Sequence, residues 1–143
     1  MGKSLVIKGA DFSSAAVEQV EFVEPIVITP SWVEGYSVSN DGTPAASARH
    51  KYALVELTEG YSKIESRIGV SPYGVLKDLV FMEGNAVLSL YPTSSPSETE
   101  VGNPFVADIP SGATSVYINY IKDTRAAELG IPVMDTITFM KNI

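Results

Sequence analysis

Apolar and polar positions alternate along most of this chain in short runs bounded by glycine, proline and asparagine. Residues 32–38, W-V-E-G-Y-S-V, and 52–57, Y-A-L-V-E-L, form the first clear pair. Between them, Asn40-Asp41-Gly42 opens a polar stretch of small residues that reads as a loop. A third run follows Gly60 at 61–68. Two-residue alternation between Gly-marked turns predicts half-buried antiparallel strands. Upstream, residues 5–8 read as a short strand closed by Gly9, and residues 15–20 as one or two helical turns. Residues 19–23 suit a strand equally well. Pro25 and Pro30 bracket Ile26-Val27-Ile28, a run suited to a sheet edge or a crossing between loops.

Downstream, residues 79–82 and 86–91 predict a hairpin around Glu83-Gly84-Asn85, and residues 105–109 a further strand. Residues 71–75 and 92–104 read as turn and loop. The run at 115–121 is apolar on both faces. Val116, Ile118 and Tyr120 line one side, and Tyr117, Asn119 and Ile121 the other. A strand of that kind is either central in a sheet or covered by a partner. Residues 123–129 predict a short helix stopped by Gly130 and Pro132, followed by a strand-like tail over 133–140. Roughly eight to ten strands with turn signals about every ten residues favour an all-β, antiparallel β-sandwich or barrel over a βαβ protein. Spacing alone does not separate a jelly roll from an immunoglobulin-like sandwich. The natural division is an N-terminal strand and linker at 1–31, a sandwich core at 32–121, and a segment at 122–143 that packs on the core or on a partner.

Composition narrows the class. The chain has 143 residues, 45% hydrophobic and 19% charged, which is one domain's worth of globular protein. A net charge of −7 disfavours nucleic acid as a partner. No Lys or Arg lies between Lys8 and Arg49 or between Lys77 and Lys122, whereas acids occur in both gaps. The absence of cysteine removes disulfides, thiolate metal sites and a thiol nucleophile. No apolar run reaches membrane-spanning length, so no membrane partner is expected. The opening residues lack the pattern of a signal peptide, which leads us to expect a soluble intracellular product or one released with the particle or complex it joins.

Candidate chemistry is sparse. His50 is the sole histidine and sits between Arg49 and Lys51, so it reads as structural. No zinc-protease, nucleophile-elbow, phosphate-loop or dinucleotide signature occurs, and no catalytic residue, metal or cofactor is expected. Asp41 reads as a turn residue satisfying nearby backbone amides; a calcium role for it is the lesser option. Glu56, Glu59, Glu65, Glu83, Glu98 and Glu100 offer carboxylates for glycoside hydrolysis, which pairs two of them across a cleft. Most of them occupy turn or outward positions.

Sugar binding is the stronger alternative. Trp32, Tyr36, Tyr61 and Tyr73 offer rings, while Asn40, Arg67 and Asn85 offer hydrogen bonds. Trp32 and Tyr36 are four apart, which in a regular strand puts both on one face, as core stripe or as platform. The two chain ends are rich in apolar groups. Leu5, Ile7 and Phe12 at one end, with Met134, Ile137, Phe139 and Met140 at the other, are candidate assembly contacts. The same residues could instead complete the chain's own sandwich.

The runs W-x-x-G-Y-x-x-x-N-D-G from Trp32 and K-Y-A-L-V-E-L-x-x-G-Y-S-K-I from Lys51 resemble jelly-roll modules in fibre and tail proteins of phages that infect gut Bacteroides-type bacteria. Similar modules occur in surface proteins of their hosts. The late P-S-G-A-T-S-V-Y-I-N-Y from Pro110 is similar to the turn and closing strand of those modules, and K-S-L-V-I-K-G-A-D-F-S to segments that precede them. The resemblance implies a jelly roll with short terminal extensions, in a non-enzymatic structural or attachment component of a virion such as a fibre or a head or tail decoration protein. It implies a homo-oligomer, with a trimer the common state, other virion proteins as partners, and a host glycan as a further partner. The setting would be a virion made in the host cytoplasm, or a bacterial cell surface within a larger assembly. Two alternatives are a carbohydrate-binding module for host glycans and a polysaccharide-degrading β-sandwich enzyme.

Overall fold

The computed structural model of the protein describes residues 4–7, 20–69, 76–92 and 100–142. In chain order these form β1 (Ser4–Ile7), β2 (Val20–Ile28), β3 (Val33–Val38), β4 (Pro44–Glu56), β5 (Tyr61–Arg67), β6 (Leu79–Glu83), β7 (Ala86–Tyr91), β8 (Pro104–Asp108), β9 (Ser115–Ile121), α1 (Asp123–Leu129) and β10 (Ile137–Asn142). The strands make two five-stranded sheets, ordered β1-β2-β10-β5-β8 and β3-β4-β9-β6-β7. Every described strand pairing is antiparallel. The protein is therefore an all-β sandwich, and α1 is the one α-helix among its described residues. Residues 15–19 of the helical turns expected near the start lie outside the described residues.

The core forms where the inner faces meet. Ile64, Ala107, Ile137 and Phe139 of the first sheet close against Val55, Leu79, Phe81, Val116, Ile118 and Tyr120 of the second. Burying each large apolar side chain contributes about 1.5–3 kcal/mol, so this layer dominates the stability of the domain. Aromatic stacks reinforce it at two places, Tyr61 on Phe139 and Tyr91 on Phe105. Tyr120 also fixes a glycine. A methyl group at Gly69 would lie 2.7 Å from the Tyr120 Cα and 2.4 Å from its ring, so only a residue without a side chain fits.

One end of the sandwich is closed by α1 and by residues 131–136 behind it. The helix ends at Gly130, whose backbone turns left-handed at φ 70° and returns its N–H to the carbonyls of Ala126 and Ala127. Met134 and Ala126 are buried in the core. Polar tethers hold the connection down: Tyr120 donates its hydroxyl to the Pro132 carbonyl at 2.6 Å, and Trp32 its indole N–H to the Asp135 carbonyl at 3.0 Å. Lys51 is buried at this end. Its ammonium bonds the Asp123 carboxylate and the Met134 carbonyl, each at 2.7 Å, and lies 4.3 Å from the centre of the Trp32 ring. A buried cation needs such a complete set of partners.

Three strands, β2, β4 and β10, depart from their expected bounds. β4 begins at Pro44 rather than near residue 52, because the small-residue stretch that reads as loop pairs with β3. β10 begins at Ile137 rather than 133, because residues 131–136 run along the plugged end outside any ladder. Pro25 lies inside β2 opposite Met140 of β10, so the runs at 19–23 and 26–28 join into one strand through it.

The position of β10 between β2 and β5 bears on the chain-end residues. Ile137 and Phe139 point into the chain's own core, and Met134 is buried beneath the plug. Their apolar surface is therefore already covered within one chain. Met140, next to Phe139 and so on the opposite face of β10, is only partly buried. Leu5 and Ile7 belong to β1 at the sheet edge, and Phe12 lies outside the described residues. Phe139→Ala should cost about 3–5 kcal/mol in urea denaturation, whereas Met140→Ala should stay within about 1 kcal/mol.

Candidate functional site

Strand β9 runs through the middle of the second sheet and is buried on both faces. Its inner residues belong to the main core. Its outer residue Tyr117 joins a second, smaller cluster built on Val38, Val80 and Met82, with Tyr52, Val87 and Leu90 around it. The cover over that cluster comes from the β3–β4 hairpin. Its register jumps between Glu34 and Tyr36, where Glu34 faces Lys51 but Tyr36 faces Ala46. The extra residues of β4 at this point bend the hairpin, so that its distal half crosses the outer face of its own sheet.

Asn119 anchors the folded hairpin. Its side-chain oxygen accepts the Val38 N–H at 2.8 Å, and its amide donates to the Val38 carbonyl at 3.0 Å and to the Lys77 carbonyl at 2.8 Å. The carboxamide thus stands in for a neighbouring strand. At the tip, Asp41 accepts the Ser39 hydroxyl and, at 3.0 Å, the Thr43 N–H, which holds its carboxyl below the ordinary aspartate value. Gly42 then passes over the second sheet. A methyl group there would meet Met82 at 3.0 Å and Val87 at 3.3 Å, and its φ of 82° favours glycine as well.

Beside this tip the outer face opens into a cleft of about 340 Å³, lined by Gly42, Leu54, Glu56, Met82, Gly84, Asn85, Thr114, Ser115 and Tyr117. Leu54 and Tyr117 are cross-strand neighbours on its floor, and Glu56 faces Ser115 at the end of the same ladder. Thr114 is committed to the fold, accepting the Gly84 N–H and donating to the Met82 carbonyl. A smaller cleft of about 200 Å³ lies on Glu65, Ser66, Arg67, Pro104, Met134, Thr136 and Thr138. Among the described residues, no three His, Asp or Glu side chains gather in a group able to hold a metal ion.

The residues read from the sequence as glycan contacts are spread over the molecule. Trp32 and Tyr61 pack against the main core. Tyr36 is exposed on the hairpin beyond the register jump, whereas Trp32 precedes β3 and packs toward the main core. Asn40 belongs to the tip turn. Arg67 lines the smaller cleft and donates to the Gly102 carbonyl at 2.8 Å. Tyr73 lies outside the described residues. Asn85 alone of the hydrogen-bonding candidates reaches the larger cleft. The sequence does not connect Leu54, Glu56 and Tyr117; the two-faced apolarity of β9 is the one signal in it that points to their surface.

Comparison with known proteins finds no matching family model, no matching curated protein and no matching solved structure.

His50 lies at the hairpin bend, its Nδ1 sharing a hydrogen bond of 2.7 Å with the Ser47 hydroxyl. Burial, with the Arg49 guanidinium adding to it, holds the imidazole below the ordinary histidine value. The unfolded chain therefore binds the proton more readily than the folded one. Stability supplied by neutral His50 is whole above about pH 6.5 and declines as pH falls toward the folded value. Urea midpoints of the wild type should fall further on acidification through that range than those of His50→Gln; parallel declines would exclude His50 as the source. Asn119→Ala leaves the Val38 amide and carbonyl without their partner, at about 1–3 kcal/mol for each buried group. Its signature should be fast hydrogen exchange at Val38 while amides of β10 stay protected.

Proposed function

We propose that the chain is a jelly-roll module serving as a structural or attachment component of a phage particle, without chemistry of its own. The observation that carries the reading is the nesting of its strand pairs. With the edge strands β1 and β3 set aside, β2 pairs with β10, β4 with β9, β5 with β8 and β6 with β7. First meets last, second meets next to last, and the innermost pair is a hairpin. A long hairpin rolled up in this way gives the two four-stranded sheets of a jelly roll, a fold frequent in viral and lectin domains. The fold alone does not carry the function; the sequence resemblance around Trp32, Lys51 and Pro110 supplies the particle setting.

Two further observations favour a binding or building role over catalysis. Among the described residues, the cleft beside the hairpin tip is lined by one carboxylate, Glu56, and the smaller cleft by one, Glu65, whereas acid–base glycoside hydrolysis employs two. The larger cleft also supports a second reading, a carbohydrate-binding module for host glycans, because it combines an apolar floor with polar groups at its rim. For the module as a particle component, assembly would proceed through surfaces other than Met134, Ile137 and Phe139, which the core already occupies.

The test is co-purification. In a culture carrying the gene, antibody against the 15.3 kDa chain should label purified phage particles, and the isolated protein should show a solution mass that is a multiple of the chain mass. Recovery of the chain only from the soluble cell fraction, as a monomer, would overturn the proposal.

A further inference from the structure

We infer that the cleft between the hairpin tip and the outer face of the second sheet binds a neutral sugar ring, with Leu54 and Tyr117 beneath it and Glu56 and Asn85 holding its hydroxyls. The inference deepens the attachment reading and rests on it for the biological setting, though its chemistry stands on the cleft alone.

The floor comes from strand register. Leu54 of β4 lies opposite Tyr117 of β9, and Tyr117 lies opposite Val80 of β6, so one row of the outer face is apolar from strand to strand. Leu54 keeps 44% of its surface exposed, whereas Val80 and Met82 on the same face are buried. Tyr52 meets the Tyr117 ring nearly edge-on, with centroids 5.9 Å apart and planes at 65°. That contact holds the ring in place. An apolar floor beside a fixed aromatic ring suits the C–H face of a pyranose.

The polar groups are placed for hydroxyls. Thr114 is already engaged by the β6–β7 turn. By contrast, among the described residues, the Glu56 carboxylate, the Asn85 carboxamide and the Tyr117 hydroxyl have no hydrogen-bond or ion-pair partner. A carboxylate only accepts, and its two oxygens can take two neighbouring hydroxyls in charge-assisted bonds. Asn85 donates and accepts, so it can serve a hydroxyl of either sense. No Lys or Arg lines the cleft, and the surrounding chain from Asp78 to Ile121 contains none. An anionic sugar would therefore meet Glu56 without a compensating cation. The volume, about 340 Å³, is at the small end for ligand pockets and fits one or two sugar units rather than a long chain.

The rigid cover explains why the site is shaped before any ligand arrives. Gly42 rests on Met82 and Val87, and Asn119 ties the hairpin to β9. One wall of the cleft is thus fixed by the same contacts that bury the outer cluster.

The experiment uses saturation-transfer NMR and titration with the methyl glycosides of glucose, galactose, mannose, fucose and N-acetylglucosamine, with methyl glucuronide as the anionic comparison. At least one neutral glycoside should bind, with a dissociation constant of the order of 1 mM for a single open site. Glu56→Gln should weaken that binding at least about tenfold, and Asn85→Ala about threefold or more. Both positions are exposed, so melting curves should be unchanged, and Glu65→Gln in the other cleft should bind as the wild type does. Failure of every neutral glycoside, equal binding of the glucuronide, or affinity untouched by both cleft variants would each overturn the inference. Particle labelling without glycoside binding would sink the cleft and leave the attachment module standing; glycoside binding by a chain absent from particles would do the reverse.

Discussion

The constraint on which this structure turns is that β9 must be covered on both faces. A strand apolar on one face needs only a second sheet, but β9 also carries Tyr117 and Asn119 on the side away from the core. The sandwich covers Val116, Ile118 and Tyr120. The bent β3–β4 hairpin covers the other side, and it can do so only because Asn119 presents a carboxamide where a strand would present a peptide group. The outer cluster, the turn at Asp41 and the wall of the larger cleft all follow from that arrangement. Burying a polar side chain here does not weaken the domain, since the oxygen and nitrogen of the Asn119 carboxamide both have partners.

Much of the architecture was legible from residue order because the strands keep strict alternation where they are half-buried. β5, β6, β7, β8 and β9 lie within a residue or so of the expected runs, and α1 begins and ends where its glycine stop demands. The failures lie where contacts distant in sequence set the strand bounds. Residues 44–51 are mostly small or polar, so neither propensity nor alternation marks them as strand, yet pairing to β3 draws them into the ladder. Such tertiary pairing overrides local preference. The delayed start of β10 is of the same kind: residues 131–136 direct their carbonyl contacts to Tyr120, Trp32 and Lys51 rather than to a neighbouring strand.

The site was less legible than the fold. Trp32 is the chain's most prominent aromatic, but its indole is tied to Asp135 and its ring lies by the buried Lys51 ammonium. The first of those roles is set by a segment about a hundred residues away in sequence. The cleft instead gathers β4, β9 and two turns that no local pattern connects. Glu56 looks like any outward strand acid until Asn85 and Tyr117 are seen beside it. Only the register, Leu54 against Tyr117, makes the grouping visible.

The nested pairing also orders events in time. β2 and β5 leave the ribosome well before the strand that joins them, β10, which follows the other described elements in the chain. Until then the first sheet exists as two separate edges with the inner faces of Ile26 and Ile64 uncovered. Contacts this distant in sequence close slowly, since loop entropy is lost before the pairing returns anything. A growing chain of this design therefore passes through a stage with sticky, half-built surfaces, from which aggregation competes with folding.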